Sequence, residues 1–159
     1  LTTLYTEESI AWRKEKRDPE KPFVLYLAHT MMHTIIDASN RFRGKSEGGL
    51  YGDVVEEFDF ETGRLLDALD ELGVSKNTLV IYTSDNGPWN QEKYTKNKKG
   101  HPKSAVFWGD SGPLRNGKGS CYEGGYRLPC IVRWPGKVPA GQESDAISSA
   151  FGFFASFEA

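Results

Sequence analysis

At 159 residues the chain is long enough to bury the core of one domain, and its formal charge of −2 gives no reason to expect a nucleic acid or a membrane surface as partner. Its longest apolar run, Phe23 to Ala28, is the size of a strand rather than of a bilayer span. Cys121 and Cys130 lack C-x-x-C spacing and a nearby histidine, so each reads as a small, partly buried residue rather than a zinc ligand or half of a redox pair.

The chain opens at Leu1 rather than Met, with no secretion signal, as an internal segment would. Residues from Thr6 to Lys16 read as a surface helix, with Thr6 as the cap, Glu7 and Glu8 in the first turn and basic residues at the end. Asp18-Pro19-Glu20-Lys21-Pro22 breaks it. Phe23-Val24-Leu25-Tyr26-Leu27-Ala28 then predicts a strand buried on both faces. Val55, Phe58, Thr62, Leu65, Leu69 and Leu72 recur at spacings of three and four, which predicts a helix stopped by Gly73.

Thr78 to Thr83 predicts a second buried strand. Strand, helix and strand in that order imply a parallel crossover and an α/β fold, a partial mixed or parallel sheet flanked by helices. Residues 87–113 read as a long loop, Cys130 to Trp134 as a third strand stopped by Pro135-Gly136, and Ala146 to Phe157 as a helix.

Chemistry gathers in two segments. Asp85 and Asn86 follow the strand ending at Thr83, and ligands of open α/β sheets collect outside the carboxyl ends of strands. A carboxylate and an amide oxygen suit Ca²⁺ or Mg²⁺, though such ions take about six or more oxygens, and by itself Asp-Asn-Gly reads more readily as a plain turn. Lys118 lies between Gly117 and Gly119, where the backbone can approach an anion closely; a solvated loop lysine is the simpler alternative.

Gly112 to Gly119 approaches the P-loop pattern, but Gly119 stands where a hydroxyl residue is due and no strand leads in, which excludes ATP or GTP binding on this basis. His29 and His33 follow the first strand, where a histidine can donate to an anion, protonate a leaving group or serve structure alone. Asp59 reads as a helix-end or ion-pair residue rather than a catalyst, and Glu123 with Arg127 as a structural pair holding the Gly124-Gly125 turn.

Together these pieces resemble the sulfatase family, of the arylsulfatase type within the alkaline phosphatase superfamily. The resemblance rests on Phe23 to Thr30 with His33, the helix bearing Asp59 and Gly63, Thr83-Ser84-Asp85-Asn86-Gly87-Pro88, Gly117-Lys118-Gly119 through Glu123 to Pro129, and Trp134-Pro135-Gly136. It spans nearly the whole chain. It implies an alkaline-phosphatase-like fold and hydrolysis of a sulfated sugar or aryl ester. Asp85 and Asn86 are then the metal ligands, usually for Ca²⁺, with Mg²⁺ possible. Lys118 and His33 contact the sulfate, and Asp85 also helps to deprotonate the attacking group. His29 matches no catalytic position. A periplasmic, secreted or lysosomal compartment is also implied.

The family's nucleophile is a formylglycine made within a Cys/Ser-x-Pro-x-Arg motif, which neither Cys121 nor Cys130 matches. The resemblance therefore implies the C-terminal half of a catalytic domain, truncated at both ends and inactive alone. Departures from the family pattern are Met32 and Ile35, where many relatives carry prolines, and Phe151 to Ser156, where relatives tend to carry Asp and Pro-Thr. Two other functions are compatible with these residues, a phosphoryl or phosphonate ester hydrolase of the same superfamily and a non-catalytic Ca²⁺- or anion-binding remnant.

Overall fold

The structure is a computed structural model that describes residues 1–89 and 109–158. The sequence-predicted loop lies largely outside them, including Tyr94, Phe107 and Trp108. Helix α1 spans Thr2–Ala11 and runs on through a wider turn, Trp12–Lys16. Helix α2 spans Gly49–Glu71, strand β1 Val80–Thr83, the single-turn helix α3 Glu123–Tyr126, strand β2 Cys130–Arg133 and helix α4 Ala150–Glu158.

Helix α1 begins four residues before its expected start, and its inward face is polar. Thr2, Thr6, Ser9 and Arg13 are the buried residues. Thr6 is not a cap: its hydroxyl bonds back to the Thr2 carbonyl, and Ser9 does the same to Tyr5. Hydroxyls satisfied within their own helix can be buried without a partner from elsewhere, and their small size permits close helix approach. Thr3 bonds Glu57 at one end of α1 and Lys14 pairs with Glu71 at the other, so α1 and α2 run side by side in the same direction.

Helix α2 is longer than its apolar period predicts, and the buried face is rotated. Val54, Glu57, Glu61, Ala68 and Leu69 are buried, whereas Val55 and Leu72 are exposed. The reason is that two faces of α2 are covered. One carries carboxylates toward α1 and the loop at Ser39, whose amide donates to Glu57 at 2.7 Å. The other carries Phe58 toward β1, its ring 5.7 Å from that of Tyr82. Asp53 near the start of α2 accepts the amides of Gly44, Lys45 and Ser46 at 2.7–3.0 Å, which hold its carboxyl below the usual range. The helix stops at Gly73, whose φ of 68° suits a residue without a Cβ.

The sheet among the described residues is antiparallel and two-stranded: Val80 faces Arg133, Ile81 Val132, Tyr82 Ile131 and Thr83 Cys130. The strands expected from residues 78–83 and 130–134 are thus present, slightly shortened, but the first is not the buried strand expected: Tyr82 and Thr83 are exposed, since among the described residues β1 has a neighbour on one edge only. The segment expected as a doubly buried strand is not one. Residues 23–28 form no ladder among the described residues, and Val24 and Tyr26 are 92% and 88% exposed. A strand is defined by its neighbour, and no described strand lies alongside. The parallel crossover is therefore not seen. Arg133 reaches Ser75 and Asp70, and the Trp134 indole donates to the Lys76 carbonyl, tying β2 to the turn after α2. A small core of Ile36, Ala38 and Val54, flanked by Met31, Phe42, Leu50 and Tyr51, anchors the loop that follows His33.

Candidate anion and metal site

Asp85 and Asn86 sit just beyond the carboxyl end of β1, Asp85 exposed and Asn86 half-buried, in a bend where the Ser84 hydroxyl donates to the Asn86 carbonyl at 3.0 Å. Lys118 lies exposed in the loop before α3. Two main-chain bonds join these segments. The Gly87 amide donates to the Gly125 carbonyl, and the Lys118 amide to the Pro88 carbonyl, both at 2.8 Å.

The junction is made of backbone packed on backbone. A Cβ on Gly87 would strike the Gly124 carbonyl, one on Gly124 the Asn116 carbonyl, and one on Gly125 the Ser120 carbonyl. Only hydrogen fits there. The Gly124 amide donates to the Arg115 carbonyl at 3.0 Å, and the Ser120 hydroxyl to the Gly117 carbonyl at 2.9 Å. Asn116, at φ 60°, takes the left-handed conformation that its residue type tolerates. Glu123 and Arg127 form the ion pair expected of them, at 3.0 Å, across this turn.

His33 lies in the turn after residues 23–28, its amide donating to the Thr30 carbonyl. Its Nδ1 is 2.7 Å from the Thr34 carbonyl. A carbonyl can only accept, so Nδ1 carries the proton and Nε2 is the atom left for other chemistry. The structure thus brings Asp85, Asn86 and Lys118 onto joined loops, while the described contacts of His33 are local.

His29, which matched no catalytic position, has a structural place. Its ring stands edge-on to Phe58 at 4.7 Å and to Tyr5 at 5.6 Å. Burial lowers its pKa, with the Glu61 charge the smaller, opposing influence. Because Phe58 also meets Tyr82, one ring on α2 touches both the segment leading to His33 and the strand leading to Asp85. Burial, and secondarily the charge of Asp59, push the Tyr82 phenol up. Asp59 itself is mid-helix and exposed, not at a helix end. Sequence reasoning did not single out Phe58 for this place, because its helical period marked it only as part of an apolar stripe.

Cys121 and Cys130 are free and exposed rather than partly buried. No cluster of three or more His, Cys, Asp or Glu suited to a metal occurs among the described residues. Asp85 and Asn86 nevertheless fit a hard cation by donor chemistry, as two adjacent oxygen-bearing side chains on one bend. No helix among the described residues is long and apolar enough to cross a membrane.

The chain is thus of α/β type and carries hard oxygen donors and a lysine on glycine-locked, adjoining loops. The sulfatase family model matches residues 1–157. Human steryl-sulfatase is 39% identical over 139 residues, covering 87% of this chain and 23% of that protein. Mouse N-acetylgalactosamine-6-sulfatase is 39% identical over 154 residues, covering 97% and 28%. The crystal structure of the PsFucS1 sulfatase from Pseudoalteromonas sp. superposes with a TM-score of 0.73 at 34% identity, covering 86% of this chain and 25% of that one. The chain belongs to the sulfatase family. It spans about a quarter of the length of these relatives.

Proposed function

We propose that this chain, as part of a longer protein, contributes to the hydrolysis of sulfate esters, with a sulfated carbohydrate as the preferred substrate class over an aryl ester. The observation that carries the reading is the pair of backbone bonds, Gly87 to Gly125 and Lys118 to Pro88, that join the Asp85-Asn86 bend to the Lys118 loop. The sugar preference draws on the N-acetylgalactosamine-6-sulfatase likeness.

In this reading the Lys118 ammonium neutralises charge on the non-bridging sulfate oxygens, and His33, through Nε2, donates to the bridging oxygen as the S–O bond breaks. That donation requires the imidazolium, since neutral His33 carries its proton on Nδ1. Asp85 and Asn86 would hold a divalent cation, Ca²⁺ or Mg²⁺, which would supply further positive charge beside the sulfate. The Asp85 carboxylate would also accept the proton of the attacking group. A formylglycine nucleophile is expected outside this chain, so the 159 residues alone are expected to be inactive. The parallel pairing expected of residues 23–28 belongs to the same proposal, supported by the exposure of Val24 and Tyr26. So does a periplasmic, secreted or lysosomal compartment.

The test is sulfate release from N-acetylgalactosamine 6-sulfate and from an aryl sulfate by the protein purified from its native source. Lys118→Ala is expected to lower kcat by about a hundredfold or more, the typical loss for one oxyanion contact. Release of phosphate from the matching phosphate esters, with none of sulfate, would overturn the reading in favour of a phosphoryl ester hydrolase.

A further inference from the structure

The loop that carries Lys118 is closed at its base by side chains that the proposed reaction does not use. The Arg115 guanidinium lies 3.7 Å from the centroid of the Tyr122 ring, so residues on either side of Lys118 are held together across the loop. The Arg115 carbonyl accepts the Gly124 amide at 3.0 Å beside that stack. Between them, Gly117 is buried and the Lys118 amide is fixed to Pro88, while the Lys118 side chain remains exposed. No carboxylate pairs with Arg115 among the described residues, so stacking is the contact that places its guanidinium.

We infer that Arg115 and Tyr122 form a cation–π clasp that positions Lys118, fixing the root of its side chain toward an anionic group. This rests on the sulfate-contacting role proposed above for Lys118, although the clasp itself is independent of it. Guanidinium planes stack well on aromatic faces, and the stack keeps the N–H edges free. Tyr122 acts through its ring. The hydroxyl is not required, so phenylalanine is expected to replace it.

The test uses the 159-residue chain with two readouts, hydrogen exchange of individual backbone amides and the acetylation rate of Lys118 with and without inorganic sulfate. In Tyr122→Leu and Arg115→Gln, exchange at the Lys118 and Gly124 amides is expected to quicken about two- to fivefold, the range an exposed cation–π contact supports. The Val74 amide, bonded to the Leu69 carbonyl at the far end of α2, serves as the control and is expected not to change. Sulfate is expected to slow acetylation of Lys118 in the unaltered chain and in Tyr122→Phe, and to lose that effect in Tyr122→Leu.

Unchanged exchange at Lys118 and Gly124 in Tyr122→Leu would overturn the clasp. So would an equal rise at Val74, which would mean general loosening. Failure of sulfate to protect Lys118 in the unaltered chain would overturn its anion-contacting role instead, and the exchange pattern would still decide the clasp.

Discussion

The Gly87 amide and the Gly125 carbonyl meet at 2.8 Å, and this bond sets the Asp85-Asn86 bend against the turn that follows Lys118. Because Gly87 faces the Gly124 carbonyl directly, the contact leaves no room for a side chain on either partner. Gly87→Ala must therefore push main chain apart. Overpacking of this kind costs about 1–3 kcal/mol. The expected outcome is a lower urea midpoint at unchanged slope, with Gly63→Ala, whose Cβ would meet open space, as the control on α2.

His29 makes stability depend on pH. Burial holds its folded pKa below the ordinary imidazole value of 6.5, so between those two values the unfolded chain binds the proton better. Stability is then greatest above pH 6.5 and falls as the pH drops from there toward the folded value. The opposing charge of Glu61 reduces the effect without reversing it. Urea midpoints at pH 7.5 and pH 5.5 should differ more in the unaltered chain than in His29→Phe; equal differences would contradict the argument.

Asp53 titrates in the opposite part of the scale. The amides of Ser46, Gly44 and Lys45 lower its folded pKa, so the stability it confers is present above the ordinary carboxylate range and is lost as the pH falls through the folded value. Asp53→Asn replaces an acceptor of three amides by a group with one acceptor oxygen. The variant should melt at lower temperature at pH 7 and approach the unaltered chain at pH 2. A constant gap across that range would be the contrary result.

Calcium binding by this chain should be weak. Asp85 and Asn86 supply two oxygen-bearing side chains, against the six to eight oxygen ligands that Ca²⁺ typically takes. Titration calorimetry is expected to show affinity weaker than about the micromolar range, abolished in Asp85→Ala. Micromolar or tighter binding would mean that the described residues hold more of the shell than their donor chemistry suggests.

Helix α2 and both paired strands were legible in sequence because each has a local signal. The three-four recurrence from Val55 to Leu72 ends at Gly73, and the apolar runs at residues 78–83 and 130–134 are bounded by turn formers. The inward face of α1 was not legible. Its Thr2, Thr6, Ser9 and Arg13 are residue types that normally face water; the Thr6 and Ser9 hydroxyls are satisfied within α1 itself, and the Arg13 guanidinium lies over the Phe23 ring, contacts that no local sequence pattern announces. Residues 23–28 have the composition of a buried strand, yet composition cannot supply the neighbour that a ladder needs. The individual motifs around Asp85 and Lys118 were readable. Their junction was not, since it depends on glycines distant in sequence meeting main chain to main chain.

That junction has a consequence for how the protein tolerates change. The obstacles to enlarging Gly87, Gly124 or Gly125 are carbonyl oxygens of the peptide chain, which no second substitution can trim away. A crowded side chain can be relieved by shrinking its neighbour, but a crowded backbone has no such remedy. In a saturation library scored for folding, these three positions should admit glycine almost alone, while Lys118, with its side chain in solvent, should accept nearly any residue. The scaffold of the site and its chemistry are thus separable by genetics, although they lie on the same few turns of chain.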